Sequence, residues 1–513
     1  MFGLFRSVRH LARLAGIAVT LARHDALFAL AQTAGGRPPL AAIRLVRRRA
    51  AAAARPGERL AAALTEMGPS FIKLGQLLAT RADLFGDEIA EDLALLQDRL
   101  PPFPGAQARA LIEAEFGQKL SSLFAAFDEV PVAAASIAQV HFAETAQGRP
   151  VAVKVLRPGI EARFARDIDL FRWLAALLER HVPRLRRLKP TAVVHSFAET
   201  VKIEMDLRLE AAAAAELAQN FASDPDFLVP AVDWARTSRR VLTTERVAGL
   251  SIDERGAIEA AGFEPREVVA KAARAFFSQV FRDGFFHADM HPGNLFVAAD
   301  GALVAVDFGI MGRIDEPTRH ALADMLMGFL AGDYAKVAEA HFRAGFVPAS
   351  QSMGAFAQAC RAIAEPILGK PLNEISLARL LAQLFEVTEQ FQMETQPQLL
   401  LLQKSMLVCE GVGRLLAPEV NMWELARPLI EEWMVENRGP GARARVVAEQ
   451  ALARIEELPQ FVDNLEKAAA MLASGGVRLH PDSLAALGSG RRAAWWPWAV
   501  AVVALAAAIL WLA

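Results

Sequence analysis

The sequence predicts an α+β protein of two lobes, in which a small unit with β-strands precedes a larger helical unit. Three observations favour this fold. Short apolar runs with strand character cluster between residues 132 and 156, and helical periodicity dominates from Pro265 onward. The segments that carry the clearest chemistry fall at the junction of the two parts. A helical N-terminal extension and one C-terminal transmembrane helix complete the predicted architecture.

The composition is that of a folded protein without a nucleic-acid-binding surface. Hydrophobic residues make up 53% and charged residues 22% of the 513 residues, which allows a large core. The formal net charge of -2 lacks the basic excess that nucleic-acid binders need. Cys360 and Cys409 form neither a CxxC pair nor a zinc spacing, so we expect no disulfide scaffold and no structural zinc site.

Residues 1–125 are predicted to form the helical extension, with the helical pattern running from Leu4 to about Phe127. Residues 1–24 carry four arginines and no acid, and apolar residues interleave with them at roughly helical spacing. A basic amphipathic helix of this kind can lie on an anionic membrane surface. The alternative is a helix that packs on the domain behind it.

The first lobe is predicted to span residues 126–248. We expect strands at Val132–Phe142, Pro150–Leu156 and Val241–Val247, and helices at Ile168–Arg180 and Thr191–Gln219. The second lobe, residues 249–435, is predicted to be helical apart from one strand pair. That pair joins Asn294–Val297 to Leu303–Asp307 through a turn at Asp300–Gly301. Residues 436–492 complete the predicted domain plan as a helical tail and linker.

The C-terminal 21 residues, Ala493–Ala513, contain no charged side chain. As a helix they would extend about 31 Å, which matches the hydrocarbon core of a bilayer. Tryptophans occur at both ends, as in an aromatic belt, and Arg491 and Arg492 precede the segment. The positive-inside rule then places the preceding lobes in the cytoplasm. We therefore expect a single-pass membrane protein whose lobes lie in the cytoplasm.

The strongest chemical signal is the segment His287–Asn294, which reads HADMHPGN, followed by Asp307 in a DFG sequence. Phosphoryl transfer needs a carboxylate near the attacking group and ligands for the metal ions on the phosphates. Asp289 is the candidate catalytic carboxylate, and Asn294 and Asp307 are the candidate metal ligands. Gly309 is expected to allow a sharp backbone turn. The order and spacing match the catalytic set of protein kinases.

Upstream, Lys154 ends the sequence VAVK, which matches the kinase strand whose lysine contacts the α- and β-phosphates. A loop of small residues precedes this strand, where glycines would cover the phosphates in a protein kinase. The segment before Gly249 lies where a connection between lobes would offer backbone groups to adenine. The residues predicted to bind ATP are Val132, Ala133, Ala134, Ala135, Ser136, Ile137, Ala138, Gln139, Val140, Lys154, Glu245 and Val247.

A lysine in this position needs a carboxylate partner from a helix. Glu204, Asp206 and Glu210 all lie on the predicted Thr191–Gln219 helix. Glu204 and Asp206 are two residues apart and point to different sides of a helix, so they do not form one local pair. The spacing alone leaves open which of the three pairs with Lys154.

Taken together, these motifs resemble the UbiB family of atypical protein-kinase-like proteins. The shared elements are the KxGQ sequence at Lys73–Gln76, SIAQVH, VAVK, the ExD helix, HADMHPGN and VDFG, which cover about residues 60–315. The resemblance implies a kinase-like fold that binds ATP with Mg²⁺ between its lobes. It also implies that Lys73 and Gln76 face the ATP pocket and contact Glu204 and Asp206, which leaves Glu210 as the partner of Lys154.

The resemblance further implies a role in ubiquinone biosynthesis at the bacterial cytoplasmic membrane, with ATPase activity and regulation linked to lipids. The expected partners are membrane lipids, isoprenoid quinone precursors and enzymes of ubiquinone biosynthesis. Two alternatives remain open. Small-molecule kinases of the aminoglycoside or choline type share a similar catalytic loop, but KxGQ and the membrane segment argue against them. A non-catalytic, lipid-binding pseudokinase is disfavoured because Lys154, Asp289, Asn294 and Asp307 are all present.

Overall fold

The computed structural model describes residues 2–27, 54–79, 100–182, 186, 189–366, 383, 386–388, 390–393, 397–420 and 422–438, together with residues 89, 92, 93 and 96. The chain divides into two compact units, residues 1–434 and 435–513. The fold and the site described below lie in the first unit.

The helices are α1 (Phe2–Arg23), α2 (Pro56–Met67), α3 (Pro69–Ala79), α4 (Gly105–Phe116), α5 (Leu120–Leu123), α6 (Ile160–His181), α7 (Pro190–Glu204), α8 (Leu207–Asn220), α9 (Arg255–Ala260), α10 (Pro265–Phe277), α11 (Glu316–Leu330), α12 (Tyr334–Arg343), α13 (Met353–Ala364), α14 (Pro397–Leu416) and α15 (Met422–Arg438). The strands are β1 (Phe124–Phe127), β2 (Ala133–Ala134), β3 (Ala138–Thr145), β4 (Pro150–Leu156), β5 (Phe227–Leu228), β6 (Val241–Glu245), β7 (Leu250–Ser251), β8 (Phe285–His287), β9 (Leu295–Val297), β10 (Leu303–Ala305) and β11 (Met311–Arg313).

The first lobe is built on an antiparallel sheet of order β1-β3-β4-β6, with β2 paired to β3. Val151, Val153 and Val155 of β4 are buried in a core formed with α4 and α5. Because successive side chains of a strand point to opposite faces, this pattern places Lys154 on the other face of the sheet. The alternation therefore turns the lysine away from that core.

The helical part of this lobe differs from the sequence prediction. The expected single helix over Thr191–Gln219 is two helices, α7 and α8, which are separated at Met205 and Asp206. Asp206 has an extended backbone, and its carboxylate accepts a hydrogen bond from the backbone N–H of Arg208. An aspartate at this position caps a new helix by satisfying one of its free N–H groups. The predicted helix over Leu4–Phe127 is also wrong at its end, where Phe124–Phe127 forms β1.

A second sheet, of order β5-β10-β9-β7, combines β5 from residues 126–248 with three strands of the following lobe. The predicted strand pair is confirmed in its essentials, since β9 and β10 pair antiparallel around a turn in which Gly301 adopts a positive φ of 80°. Strand β7 pairs with β9, so residues 246–249 carry the chain from one sheet to the other. The short strands β8 and β11 form a separate antiparallel pair, and His287 at the end of β8 begins the catalytic segment.

One large core holds the second lobe together and supports the catalytic segment. It contains Ala288 and Met290, the two neighbours of Asp289, and Phe308, which follows Asp307. Leu402 and Cys409 of α14 belong to the same core. Helix α14 is therefore packed against the part of the fold that carries the catalytic segment.

The N-terminal helix α1 packs on α2, which is the alternative arrangement considered above. Arg13 pairs with Asp167 of α6, and the Arg9 guanidinium lies 3.2 Å from an Asp169 carboxylate oxygen. The basic side of α1 thus faces acidic residues of the same chain. None of the helices within the described residues is both long and apolar enough to cross a membrane. The predicted transmembrane segment, residues 493–513, lies outside the described residues.

Candidate functional site

Three charged side chains meet where β4, α8 and the end of β10 come together. The Lys154 ammonium lies 2.7 Å from Glu210 Oε1 and 2.9 Å from Asp307 Oδ1. Glu210 lies in the first turn of α8, so the break in the helix at Asp206 brings this carboxylate into position. The structure thus pairs Lys154 with Glu210, as the resemblance implied.

The two carboxylates differ in their pKa values. Burial acts to raise the pKa of Asp307, but the adjacent Lys154 ammonium outweighs it, and the pKa falls to about 2. Burial instead raises the pKa of Glu210 to about 7, and the neighbouring Asp307 carboxylate opposes the effect of Lys154. Burial lowers the pKa of Lys154, but its two carboxylate partners reverse this and raise it. Asp307 and Lys154 are therefore ionised at neutral pH.

Asp307 has an uncommon backbone, with a positive φ of 62°. Aspartate tolerates this left-handed conformation better than most residues. The chain then bends at Gly309 and Ile310, as expected, and Gly309 also leaves room beside the Asp307 carboxylate. A Cβ atom on Gly309 would lie 3.3 Å from Asp307 Oδ1, so a side chain there would crowd the carboxylate.

His287 links the catalytic segment to the strand before Asp307. Its Nδ1 accepts a hydrogen bond from the backbone N–H of Asp289, so the proton resides on Nε2, which donates to the Val306 carbonyl. The backbone N–H of His287 donates to Gln279 Oε1. Burial lowers the pKa of His287, which keeps the ring neutral. Both ring nitrogens of His287 therefore take part in hydrogen bonds that hold the loop.

Asp289 and Asn294 lie in the catalytic segment that follows β8. The Asn294 Nδ2 group donates to the Asp289 carbonyl at 3.0 Å, so this bond does not use Asn294 Oδ1, the atom that a metal ion would need. The Asp289 carboxylate points outward and is 34% exposed. Its Oδ1 accepts a hydrogen bond from the Lys404 ammonium of α14 at 2.7 Å. Lys404 belongs to no motif and is 115 positions away in sequence, so no local pattern predicts this contact.

Polar contacts of Arg157 and Gln139 fix the alanine-rich loop in place. The Arg157 guanidinium donates to the Ala135 carbonyl at 2.8 Å and to the Leu100 carbonyl at 3.3 Å. Gln139 is fully buried, and its amide exchanges two hydrogen bonds with the backbone of Phe103. The side chains of residues 136–139 are likewise buried, whereas Ala133 is exposed. Among the predicted ATP-binding residues, the Gln139 side chain thus serves the fold, and the loop offers mainly its alanines.

The KxGQ segment lies on α3 and reaches the same cleft. Lys73 Nζ is 3.0 Å from Glu204 Oε2, at the end of α7. The charge of Lys73 also lowers the pKa of Asp307, although by less than the charge of Lys154 does. Gln76 donates to the Leu96 carbonyl at 3.4 Å. Asp206 binds the Arg208 guanidinium. Lys73 therefore contacts the ExD pair through Glu204, while the hydrogen bonds seen for Gln76 and Asp206 have other partners.

Glu245 and Val247 flank the passage between the two sheets. Glu245 ends β6, and its backbone N–H donates to the Ala231 carbonyl. Val247 lies in the connecting residues 246–249. Gly249 at the end of this passage is required for space, since a Cβ atom there would lie 2.8 Å from the Val297 carbonyl oxygen. The connection is therefore packed tightly against β9.

These residues fit a nucleotide with a bound cation. Mg²⁺ is usually held by one or two protein oxygens together with substrate phosphates and water. Asp307 is ionised, and its side chain is 47% exposed to the cleft. The Asn294 bond to Asp289 uses Nδ2 and not Oδ1, and the absence of a side chain at Gly309 keeps the Asp307 carboxylate accessible. The cation would supply charge neutralisation for the phosphates, and Lys154 would add a second positive charge.

Two segments of the chain match known protein families. Residues 95–341 match the family model of the ABC1 atypical kinase-like domain, and residues 360–421 match that of the UbiB helical domain. Among solved structures, the Rv3197–erythromycin complex from Mycobacterium tuberculosis superposes with a TM-score of 0.49 at 25% identity, covering 72% of this chain and 93% of the other.

The similarity to curated proteins is more extensive. A protein of Marinobacter nauticus named "Probable protein kinase UbiB" is 43% identical over 424 residues, which cover 82% of this chain and 78% of the relative. A protein of the same name from Aliivibrio salmonicida is 42% identical, over 79% of this chain and 76% of the relative. Identity at this level over most of both chains shows that this chain and these relatives belong to the same family. The chain belongs to the UbiB family of atypical kinases.

Proposed function

We propose that this protein binds ATP with Mg²⁺ in the cleft beside Lys154 and turns it over slowly in support of ubiquinone biosynthesis. The observation that carries the proposal is the Lys154 ammonium held between Glu210 and Asp307. A lysine fixed in this way can hold phosphate oxygens, and the ionised Asp307 can hold the cation. Asp289 lies at the acceptor side, where it can orient a hydroxyl group or water.

Ligand-dependent stabilisation tests the binding step. A ligand that binds only the native state raises the apparent melting temperature. Mg²⁺ with ATP should therefore stabilise the purified full chain, and ATP in the presence of a chelator should not. The Asp307→Asn variant should lose most of this effect. An equal shift with and without the cation would contradict the proposed site.

The cellular role is tested by measuring ubiquinone and its precursors in a strain that lacks the gene. The intact gene should restore ubiquinone, whereas genes carrying Lys154→Ala or Asp289→Asn should not. The same variants should lower phosphate release in vitro, because they remove phosphate positioning and acceptor orientation. Full restoration by both variants would favour a non-catalytic role.

The proposal includes a membrane location. Residues 493–513 are long and apolar enough to serve as the anchor, and Arg491 and Arg492 would orient the lobes toward the cytoplasm. Deleting residues 493–513 should release much of the protein from membranes on carbonate extraction. Complete retention of the truncated protein would place the anchor elsewhere.

A further inference from the structure

We propose that Lys404 of α14 is a positioning residue for Asp289, and that the helical region thereby supplies part of the phosphoryl-transfer site. The inference deepens the proposed function and rests on it. In the transfer, the acceptor oxygen forms a bond to the γ-phosphorus while the bond to the bridging oxygen of ADP breaks. ADP leaves with that electron pair, and the acceptor's proton passes to the Asp289 carboxylate.

Within residues 287–294, all of which the structure describes, no group donates a hydrogen bond to this carboxylate. Residues 287–294 contain no lysine or arginine. Their backbone is well fixed, because Ala288 and Met290 are fully buried and the Asp289 carbonyl accepts a bond from Asn294. The carboxylate, however, is partly exposed. Among the described residues, its one hydrogen-bond donor is the Lys404 ammonium.

Lys404 is placed by a rigid support. On the same helix, Leu402 and Ser405 are buried, and the Ser405 hydroxyl donates to the Leu401 carbonyl. Leu402 belongs to the same core as Ala288 and Met290. The helix and the catalytic segment therefore share one packed core, and the two side chains that extend from it meet at 2.7 Å.

A contribution to the stability of the fold does not account for the pair of Lys404 and Asp289. Lys404 is 46% exposed and Asp289 is 34% exposed, and ion pairs at such accessible sites contribute little to stability. A catalytic carboxylate, in contrast, must be held within a fraction of an ångström of its working position. Lys404 can provide this, because a charge-assisted hydrogen bond fixes both distance and direction.

The contact also crosses a boundary between two family models. Asp289 lies in the segment that matches the ABC1 atypical kinase-like domain, and Lys404 lies in the segment that matches the UbiB helical domain. The helical region thus contributes a side chain to the site in addition to packing beneath it. Displacement of α14 would withdraw the ammonium from Asp289.

The test compares Lys404→Met, Lys404→Arg and, as a matched control, Gln403→Met in the full-length protein. Gln403 is an exposed neighbour on the same helix without a contact to Asp289 among the described residues. Phosphate release and the stabilisation by Mg²⁺ with ATP are measured for each variant. We expect Lys404→Met to lower kcat by about tenfold or more, on the scale of lost acid–base positioning, with KM for ATP unchanged. Lys404→Arg should retain most activity, and Gln403→Met should match the wild type.

A double variant separates positioning from a general effect on the fold. In the Asp289→Asn background, Lys404→Met should cause no further loss, because both changes remove the same function. Wild-type turnover in Lys404→Met, or an equal loss in both backgrounds, would overturn the inference. Absence of turnover in the wild type with its ATP stabilisation intact would overturn it as well, since no transfer step would remain for Lys404 to serve. Absence of the stabilisation itself would overturn the proposed function.

Discussion

Lys73 of the KxGQ segment and Glu204 of the ExD segment form an ion pair with 3.0 Å between Nζ and Oε2, and each side chain is only 11% exposed. The pair joins α3 of the N-terminal extension to the end of α7, which precedes the helix that carries Glu210. The extension is therefore bonded to the lobe that contains Lys154. Removal of one partner would leave the other charge largely buried without this contact, which is costly.

Lys73→Met should lower the free energy of unfolding by about 1–3 kcal/mol, the typical cost of leaving a buried polar group unsatisfied. The double variant Lys73→Met/Glu204→Gln should recover part of that loss, because no uncompensated carboxylate remains. Urea unfolding followed by circular dichroism measures both values. The exposed pair Lys202–Glu199 on the same helix provides the control, and Lys202→Met should change stability very little. A double variant less stable than both single variants would contradict this account.

A second prediction concerns pH and the buried His287. Burial lowers the pKa of His287 in the folded protein, whereas an unfolded histidine titrates near its ordinary value of about 6.5. Between the folded pKa and about 6.5, the unfolded chain binds a proton that the folded chain does not. The free energy of unfolding therefore rises with pH in this window and falls as the pH drops below about 6.5.

The variant His287→Gln should flatten this dependence, since glutamine can donate and accept hydrogen bonds without titrating. The measurement is urea unfolding at a series of pH values between 5 and 7.5 for both proteins. Two other histidines, the buried His141 and the partly buried His341, also have pKa values that burial lowers, so part of the slope should remain. An identical slope in both proteins would show that His287 does not contribute.

A third prediction uses the two cysteines as reporters of packing. Burial raises the pKa of both Cys360 and Cys409 to about 12. At pH 8 the reactive thiolate would then be roughly one part in ten thousand, and access is blocked as well. Neither thiol should react with a thiol-specific reagent in the native protein, and both should react in denaturant. Gln403→Cys, at an exposed position of α14, should react rapidly under native conditions. Fast native labelling of Cys409 would show that α14 is not packed as described.

Those parts of the site that are formed by local sequence patterns can be predicted from the sequence. The strand that carries Lys154 and the β9–β10 pair before Asp307 follow from short apolar runs and a glycine turn. The break at Asp206 was missed because the residues around it favour helix, and only the cap geometry shows a new start. Strand β5 has two residues and pairs in parallel with β10, so its pattern is too short to detect. Lys404 depends on tertiary packing between distant segments, which no local spacing encodes.

The final prediction concerns the alanine-rich loop and the acceptor of the phosphoryl group. Ala133 and Ala134 form β2 and pair with Val140 and Gln139, while Arg157 holds the neighbouring Ala135 carbonyl. Alanine restricts the backbone more than glycine does, so the loop cannot close freely over the phosphates. Lys73 lies on the same cleft, where its charge acts on Asp307. We therefore expect the wild type to hydrolyse ATP slowly and to phosphorylate added proteins poorly.

Ala134→Gly should release part of this constraint, at a cost of about 0.5–1 kcal/mol in the short strand. It should alter the affinity for ATP and increase self-phosphorylation, because a freer loop can follow the phosphates. Ala126→Gly provides the matched control, since Ala126 is an exposed alanine in β1 of the same sheet. The measurement is radiolabel transfer from ATP to the protein itself and to a panel of proteins, beside phosphate release. Efficient transfer to unrelated proteins by the wild type would contradict a site closed to protein substrates. Equal self-phosphorylation and phosphate release in the two glycine variants would contradict the proposed constraint of the loop on the phosphates.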